Sequence, residues 1–388
     1  MSEDLSRFVQ ALSSEQYALQ ATRRPFRPWH KPRKQLVRKR HIDGLLTPLL
    51  ADGVGPVRYL GLPGADLLDI RWMLSGLCEQ YGRDLLFVGF DTDRTDGTCR
   101  SSIEAAKLKM ELRVDSRSQI VETAFESLAE DDSFASEQAR RLGAFDLVNV
   151  DLCNGMAGEA PTASGPTMYN AIASLLGLQA KRIHPWILLI TTRIDRRNVD
   201  AEAGRKLANV LAHNMTHCPI FSDEFHQHFG FNQVTVRSLK MKRADIVAKV
   251  RSVAIAKWII SLAADKEMEA DLVSAISYTV YPKNGHPDLL SLAFKIEAPE
   301  PSPALDRFSI AQTPKGSRSS QTKPSHECDS ALTALRIVHS AIDADQLLRS
   351  DPELMAQTTH ESADLLESAG YPRSEYASWA RRNPWNAQ

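Results

Sequence analysis

The chain has 388 residues, of which 43% are hydrophobic and 24% charged, the balance of an ordinary globular protein rather than a disordered one. Its 47 Lys and Arg against 48 Asp and Glu leave a formal net charge of −1, so no global field steers it toward nucleic acid or a membrane. The longest apolar runs, such as Trp186 to Ile190, fall far short of the ~20 residues of a membrane span, and no basic-then-apolar leader opens the chain. A cytoplasmic protein of two to three domains, or one large α/β domain with appendages, is expected.

Residues 1–21 carry a modest helical pattern, and a basic stretch follows. Between Arg23 and His41 stand Arg23, Arg24, Arg27, Lys31, Arg33, Lys34, Arg38, Lys39 and Arg40, with no acid among them. Phe26, Trp29 and His30 are interleaved, together with Pro25, Pro28 and Pro32. Cations neutralise phosphates and rings stack on bases, so an extended arm holding nucleic acid is one expectation. Prolines would keep such an arm out of a helix. The alternatives are another anionic partner, a solvated arm, or cations paired with acids of the same fold.

Alternation follows. Val57–Leu62 reads as a buried strand ending in Pro63-Gly64, and Leu67–Tyr81 as a helix. Leu85–Phe90 is a second strand, closed by Asp91, before a helix over Ser101–Leu112. Further strands are expected over Ser118–Ala124, Phe145–Val150 and Trp186–Thr192, with helices over Ala135–Leu142, Tyr169–Leu178 and Ala203–Met215. Short apolar runs alternating with amphipathic helices predict a parallel sheet covered on both faces. Ala244–Ala263 is a long helix, and Val273–Tyr281 and Leu289–Ile296 flank a spacer containing Asn284-Gly285, a hairpin signal. Residues 298–327 are rich in Pro, Ser and Thr and read as a linker. The resulting division is an N-terminal extension over 1–52, an α/β domain over 53–298, a flexible linker over 299–328 and a helical element over 329–388.

Ligands in open parallel sheets sit beyond the carboxyl ends of the strands, at the switch point. That directs attention to Gly61-Leu62-Pro63-Gly64, to Asp91, to Thr123 and Phe125, and to Asp151 with Cys153 and Asn154. In this arrangement the chain resembles class I S-adenosylmethionine-dependent methyltransferases over roughly residues 53–298. The resemblance implies a Rossmann-like, mostly parallel seven-stranded sheet with an antiparallel C-terminal hairpin. It implies that Gly61, Pro63 and Gly64 shape a methionine pocket, with Asp66 or Asp69 reaching the amino group. Asp91 would hold the ribose and Thr123 and Phe125 the adenine, leaving Asp151 and Asn154 near the acceptor. The run also looks like an uncharacterised bacterial methyltransferase-like group, from which no substrate carries over.

The sequence departs from the usual GxGxG loop and lacks a (D/N)PPY run. Two expectations therefore stand: a methyltransferase acting on nucleic acid recruited by the basic stretch, or a degenerate binding subunit of a bacterial defence or mobile-element system with a protein partner. The full GxGxxG of a dinucleotide site is absent. His213, His217, Cys218, His226 and His228 lie close in sequence but match no established ligand spacing, so no metal is assigned. His184, His286 and Tyr281 are lesser candidates for the cleft. The five cysteines form no CxxC pair, which argues against a disulfide scaffold.

Overall fold

The computed structural model describes residues 24–51, 53–94, 97–152, 155–158, 160, 165–194, 199–280, 287–298 and 324–382. The chain enters through a short 3₁₀ turn, Pro28–His30, and the helix α1 (Pro32–Val37). It runs on through a π-helical stretch, Arg38–Asp43, into α2 (Gly44–Leu50). Arg24 to Lys31, expected to stay out of a helix, does so apart from the one turn over Pro28–His30, with Arg27 and Lys31 extended, but the prolines also start helical structure. Pro28 and Pro32 occupy first helical positions, where a missing N–H costs nothing and a fixed φ favours the helix.

Alternation then proceeds nearly as the sequence predicts. β1 (Val57–Gly61) leads to α3 (Leu68–Met73), which continues through Leu74–Cys78 and Glu79–Tyr81. β2 (Leu85–Phe90), α4 (Arg100–Leu108), β3 (Gln119–Val121), α5 (Phe134–Leu142) and β4 (Leu147–Asp151) follow. After them come α6 (Met168–Gln179), β5 (Trp186–Arg193), α7 (Ala201–His217), α8 (Pro219–Phe229), α9 (Val236–Lys240) and α10 (Ala244–Ala264). β6 (Glu269–Tyr278) and β7 (Leu289–Glu297) precede α11 (Pro324–His339), β8 (Ile342–Asp343), α12 (Ala344–Ser350), α13 (Pro352–Ser368) and α14 (Arg373–Arg382).

The sheet has eight strands rather than the seven expected, in the order β3-β2-β1-β4-β5-β7-β6-β8. β7 slots antiparallel between β5 and β6, while β1 to β5 pair with parallel register (Tyr59 opposite Phe87 and Leu147). The additional strand is the two-residue β8, parallel to β6, too short to leave a periodic signal. Burial alternates along β5: Leu188 and Ile190 enter one core with α6, α7 and α10, and Ile187 and Leu189 the other with α2, α3 and α4. Both faces are therefore covered, and polar chemistry is left to the strand ends.

Both ends of the described chain join this body. Leu335 and Val338 of α11 belong to the larger core, and Pro324 to Glu327, expected within the linker, are helical. Phe26 packs against Tyr371, Tyr376 and Trp379, and the Tyr376 hydroxyl donates to the His30 carbonyl at 2.6 Å. Cys218 and Cys328 form a disulfide across 110 residues of sequence, with Cα atoms 6.1 Å apart. A pairing at that separation is invisible to local spacing. Among the described residues no helix is long and apolar enough to cross a membrane.

Candidate functional site

β1 pairs with both β2 and β4, so the chain's direction of winding switches between β1 and β4. Beyond the carboxyl ends of β1 to β4 lies a cavity of about 830 Å³, where ligands of open parallel sheets sit. Leu62 and Gly64 contribute from the β1 end, Phe90, Asp91 and Thr92 from β2, Thr123 to Glu126 from β3, and Asp151 and Leu152 from β4. Met156, Met168, Val199 and Asp200 close the remaining sides.

Of the expected cofactor residues, Gly64, Asp91, Thr123 and Phe125 line this cavity, as does Asp151. Gly61 and Pro63 do not; they act beneath it. A Cβ on Gly61 would collide with the Asn149 carbonyl, so this glycine lets β1 close against β4. Pro63 packs where a side chain on Gly89 would stand. Gly64, by contrast, has φ +66° and open space where a Cβ would be.

The lining chemistry is uneven. Asp91 Oδ1 accepts the Asp93 N–H at 2.9 Å, and Oδ2 has no partner among the described residues. The Thr123 hydroxyl oxygen is buried and also lacks a partner among them. Unpaired buried polar atoms are uncommon and call for an explanation such as a ligand or a water. Phe125 is buried and meets Phe90 edge-on at 5.5 Å, giving the cavity an apolar wall. Among the described residues four lining side chains are acidic, Asp91, Glu126, Asp151 and Asp200, and none is Lys or Arg. Asp200 also caps α7 through the N–H groups of Glu202 and Ala203.

The opposite half of this edge is closed by the basic segment. Lys34 Nζ donates to Asp151 Oδ2 at 2.6 Å and to the Tyr278 hydroxyl at 3.3 Å. Burial alone would lower the Lys34 pKa, but Asp151, Tyr278 and Asp69 together outweigh it, and the ammonium is held above its ordinary range. Burial pushes Tyr278 up to about 12, keeping its hydroxyl protonated. Arg38 donates to Asp69 Oδ1 at 2.6 Å, and Asn149 to Asp69 Oδ2 at 2.8 Å. Burial lowers His41 to about 3, with Lys34 adding to the effect; its neutral ring bonds the hydroxyls of Ser291 and Ser274.

This overturns the extended arm. Lys31, Arg33, Lys34 and Arg38 are buried, and Arg33 pairs with Asp345 at 3.0 Å. Lys39 pairs with Glu361 at 2.6 Å, and Arg24 with Glu104 at 3.5 Å. Arg27, Trp29 and Arg40 keep exposed positions, and Arg23 lies outside the described residues. A run of cations without local acids had its acids waiting elsewhere in the fold. Asp66, a candidate for the methionine amino group, is bound by Arg100 and the Tyr371 hydroxyl, and Asp69 is occupied as above.

Other expectations fall away from the cleft. His184 precedes β5 and so sits at the opposite end of the sheet. Asn154, Cys153, Tyr281 and His286 lie outside the described residues. His217 Nδ1 contacts the His213 carbonyl at 2.8 Å, His228 stacks on His339, and Cys218 is in the disulfide. Among the described residues no three His, Cys, Asp or Glu side chains converge as metal ligands. Sequence reasoning missed Lys34 as a partner of Asp151. It also missed Glu126, Met156, Met168 and Asp200, which sit on turns or helix starts that carry no motif.

Fold and cleft together define a doubly wound α/β protein with an acidic cavity at its switch point. Residues 23–381 match the PP_RS20740-like family, and the chain belongs to that family. No curated protein matches the sequence. Among solved structures it is similar to Trm1 from Pyrococcus horikoshii in complex with S-adenosyl-L-methionine, at 13% identity and a TM-score of 0.35. That match covers 71% of this chain and 56% of the Trm1 chain, so little more than half of that protein's length is spanned.

Proposed function

We propose that the cavity beyond β1 to β4 binds S-adenosylmethionine and that the chain is a methyltransferase. The observation that carries this reading is the state of the β2 and β3 ends. Asp91 Oδ2 and the Thr123 hydroxyl lack partners among the described residues, beside an apolar Phe90–Phe125 wall. A carboxylate oxygen suits ribose hydroxyls, a buried hydroxyl suits a purine edge, and the rings suit its face. The acidic lining favours a cationic ligand and opposes the pyrophosphate of a dinucleotide.

S-adenosylmethionine would supply an already activated methyl group on a sulfonium. The chain's own work is then positioning and electrostatics. Gly64 leaves the backbone approachable, Asp91 fixes the ribose, and Asp151 orients the acceptor or takes its proton. Nucleic acid as acceptor would have to rest on Arg27, Trp29 and Arg40, the exposed remainder of the basic stretch, and forms no part of the reading. A second reading, a degenerate methyltransferase-like fold that has lost the cofactor and serves as a binding subunit for a partner, draws on the occupation of Asp66 and Asp69 by internal partners.

Thermal unfolding with and without S-adenosylmethionine or S-adenosylhomocysteine tests the proposal. Ligand at 100 times its Kd adds about 2.7 kcal/mol to the folded state. A rise in Tm of several degrees is expected. No rise with either ligand at millimolar concentration favours the second reading.

A further inference from the structure

Lys34 and Arg38 stand four residues apart, so one helical face carries both across the carboxyl edge of the sheet. Arg38 neutralises Asp69 beneath the cleft, and Lys34 neutralises Asp151 in its wall. The Asp151 side chain remains 27% exposed and the Lys34 side chain 10%. Asp91 and Glu126, lining the same cavity, have no cationic partner among the described residues. Asp151 thus enters the cleft as half of an ion pair, and no motif announces Lys34 as its partner.

We infer that Lys34 is a specificity-determining residue of this cleft: its charge cancels that of Asp151 and so limits the preference for a sulfonium cation over a neutral thioether. The inference rests on the reading of the cavity as a site for S-adenosylmethionine. Methyl transfer breaks the carbon–sulfur bond and leaves that electron pair on sulfur. The sulfonium becomes an uncharged thioether as the methyl group joins the acceptor's lone pair. An unpaired carboxylate at this wall would stabilise the charged reactant more than a transition state whose sulfur is losing its charge. Stabilising the ground state in that way raises the barrier. With Lys34 in place Asp151 stays available to the acceptor without over-binding the reactant.

The test is calorimetric titration of the full chain with S-adenosylmethionine and with S-adenosylhomocysteine, reading the ratio of the two affinities. Lys34→Gln should raise the preference for the sulfonium about tenfold, the order expected of one uncompensated charge at a partly exposed site. Asp151→Asn should lower it, because the Lys34 charge is then unopposed. The double variant should return to the wild-type ratio, and Lys34→Arg should keep it. A merely structural role would weaken both ligands alike and leave the ratio unmoved. An unmoved ratio in folded Lys34→Gln and Asp151→Asn overturns the inference alone, and the Asp151→Asn arm decides if Lys34→Gln does not fold. Failure of the wild type to bind either ligand overturns the reading of the cavity and this inference with it.

Discussion

The two halves of the sheet's carboxyl edge carry similar residues and treat them differently. On the β1 and β4 side, Asp69 at the start of α3 and Asp151 at the close of β4 are met by Arg38 and Lys34 of the N-terminal segment. At the β2 and β3 ends, Asp91 Oδ2 and the Thr123 hydroxyl have no partner among the described residues. A buried charge must be paired or its burial is prohibitive, so Asp69 is committed to holding the fold, while Asp151, 27% exposed, is paired and still lines the cavity. The second half keeps its hydrogen-bonding capacity: half-exposed Asp91 keeps it open to solvent, and the buried Thr123 hydroxyl retains it at a cost unless something else uses it. The acids of this edge are thus not equivalent: a cation reaches Asp69 and Asp151 and cancels their charge, and none among the described residues reaches Asp91.

The comparison predicts opposite responses to mutation. Arg38→Met strands a buried carboxylate and should cost about 3–5 kcal/mol, with Tm falling by roughly 5–10 °C. A Tm within a degree of wild type would contradict the structural role of Asp69. Acidification should act through the same segment. His30 and His41 are both pushed down to about 3, chiefly by burial, so below their ordinary pKa of 6.5 the unfolded chain takes up protons that the folded chain refuses. Stability should therefore fall as pH drops from 6.5 toward 3, by about 2 kcal/mol per histidine at pH 5. Asp43, raised to about 6 mainly by burial, binds its proton first in the folded state and offsets part of this loss. Urea unfolding at pH 7 and pH 5 reads the balance, and a His41→Gln variant should show a shallower decline.

On the other half, Asp91→Ala should reduce affinity for S-adenosylmethionine about 30-fold or more, by removing hydrogen bonds to a charged group. Its effect on stability should stay within about 0.5 kcal/mol. The smallest effect expected is that of Thr123→Val, a near-isosteric loss of the unpartnered hydroxyl. It should leave stability unchanged or slightly improved while weakening the ligand about fivefold, one neutral hydrogen bond's worth. A destabilised Thr123→Val with unchanged affinity would mean that the hydroxyl serves the fold.

Much of this edge was legible in the sequence. Leu85–Phe90 is a strand with those very bounds because an uninterrupted apolar run closed by Asp91 has few other readings. The same logic located Asp151 at the close of β4, whereas Thr123, expected inside a strand over Ser118–Ala124, stands past a shorter β3 that ends at Val121. For the basic stretch the sequence leaves several readings open, and the one the structure shows, cations paired with acids of the same fold, lies in ion pairs such as Arg38–Asp69 and Lys39–Glu361, 31 and 322 residues apart. Proline is ambiguous in the same way, breaking a helix inside it and starting one at its first position. Gly61 shows a third limit: a glycine at the right place in a loop pattern can serve strand packing rather than ligand approach.

The central claim, that the half-edge of Asp91 and Thr123 is a cofactor site, is met most directly by titrating wild type and Asp91→Ala with S-adenosylmethionine in one calorimeter. The account predicts a single saturable site in the wild type and a loss of about 30-fold or more in the variant, with both proteins melting at the same temperature in the absence of ligand. Equal binding by the two proteins, or none by either at millimolar ligand, would contradict it.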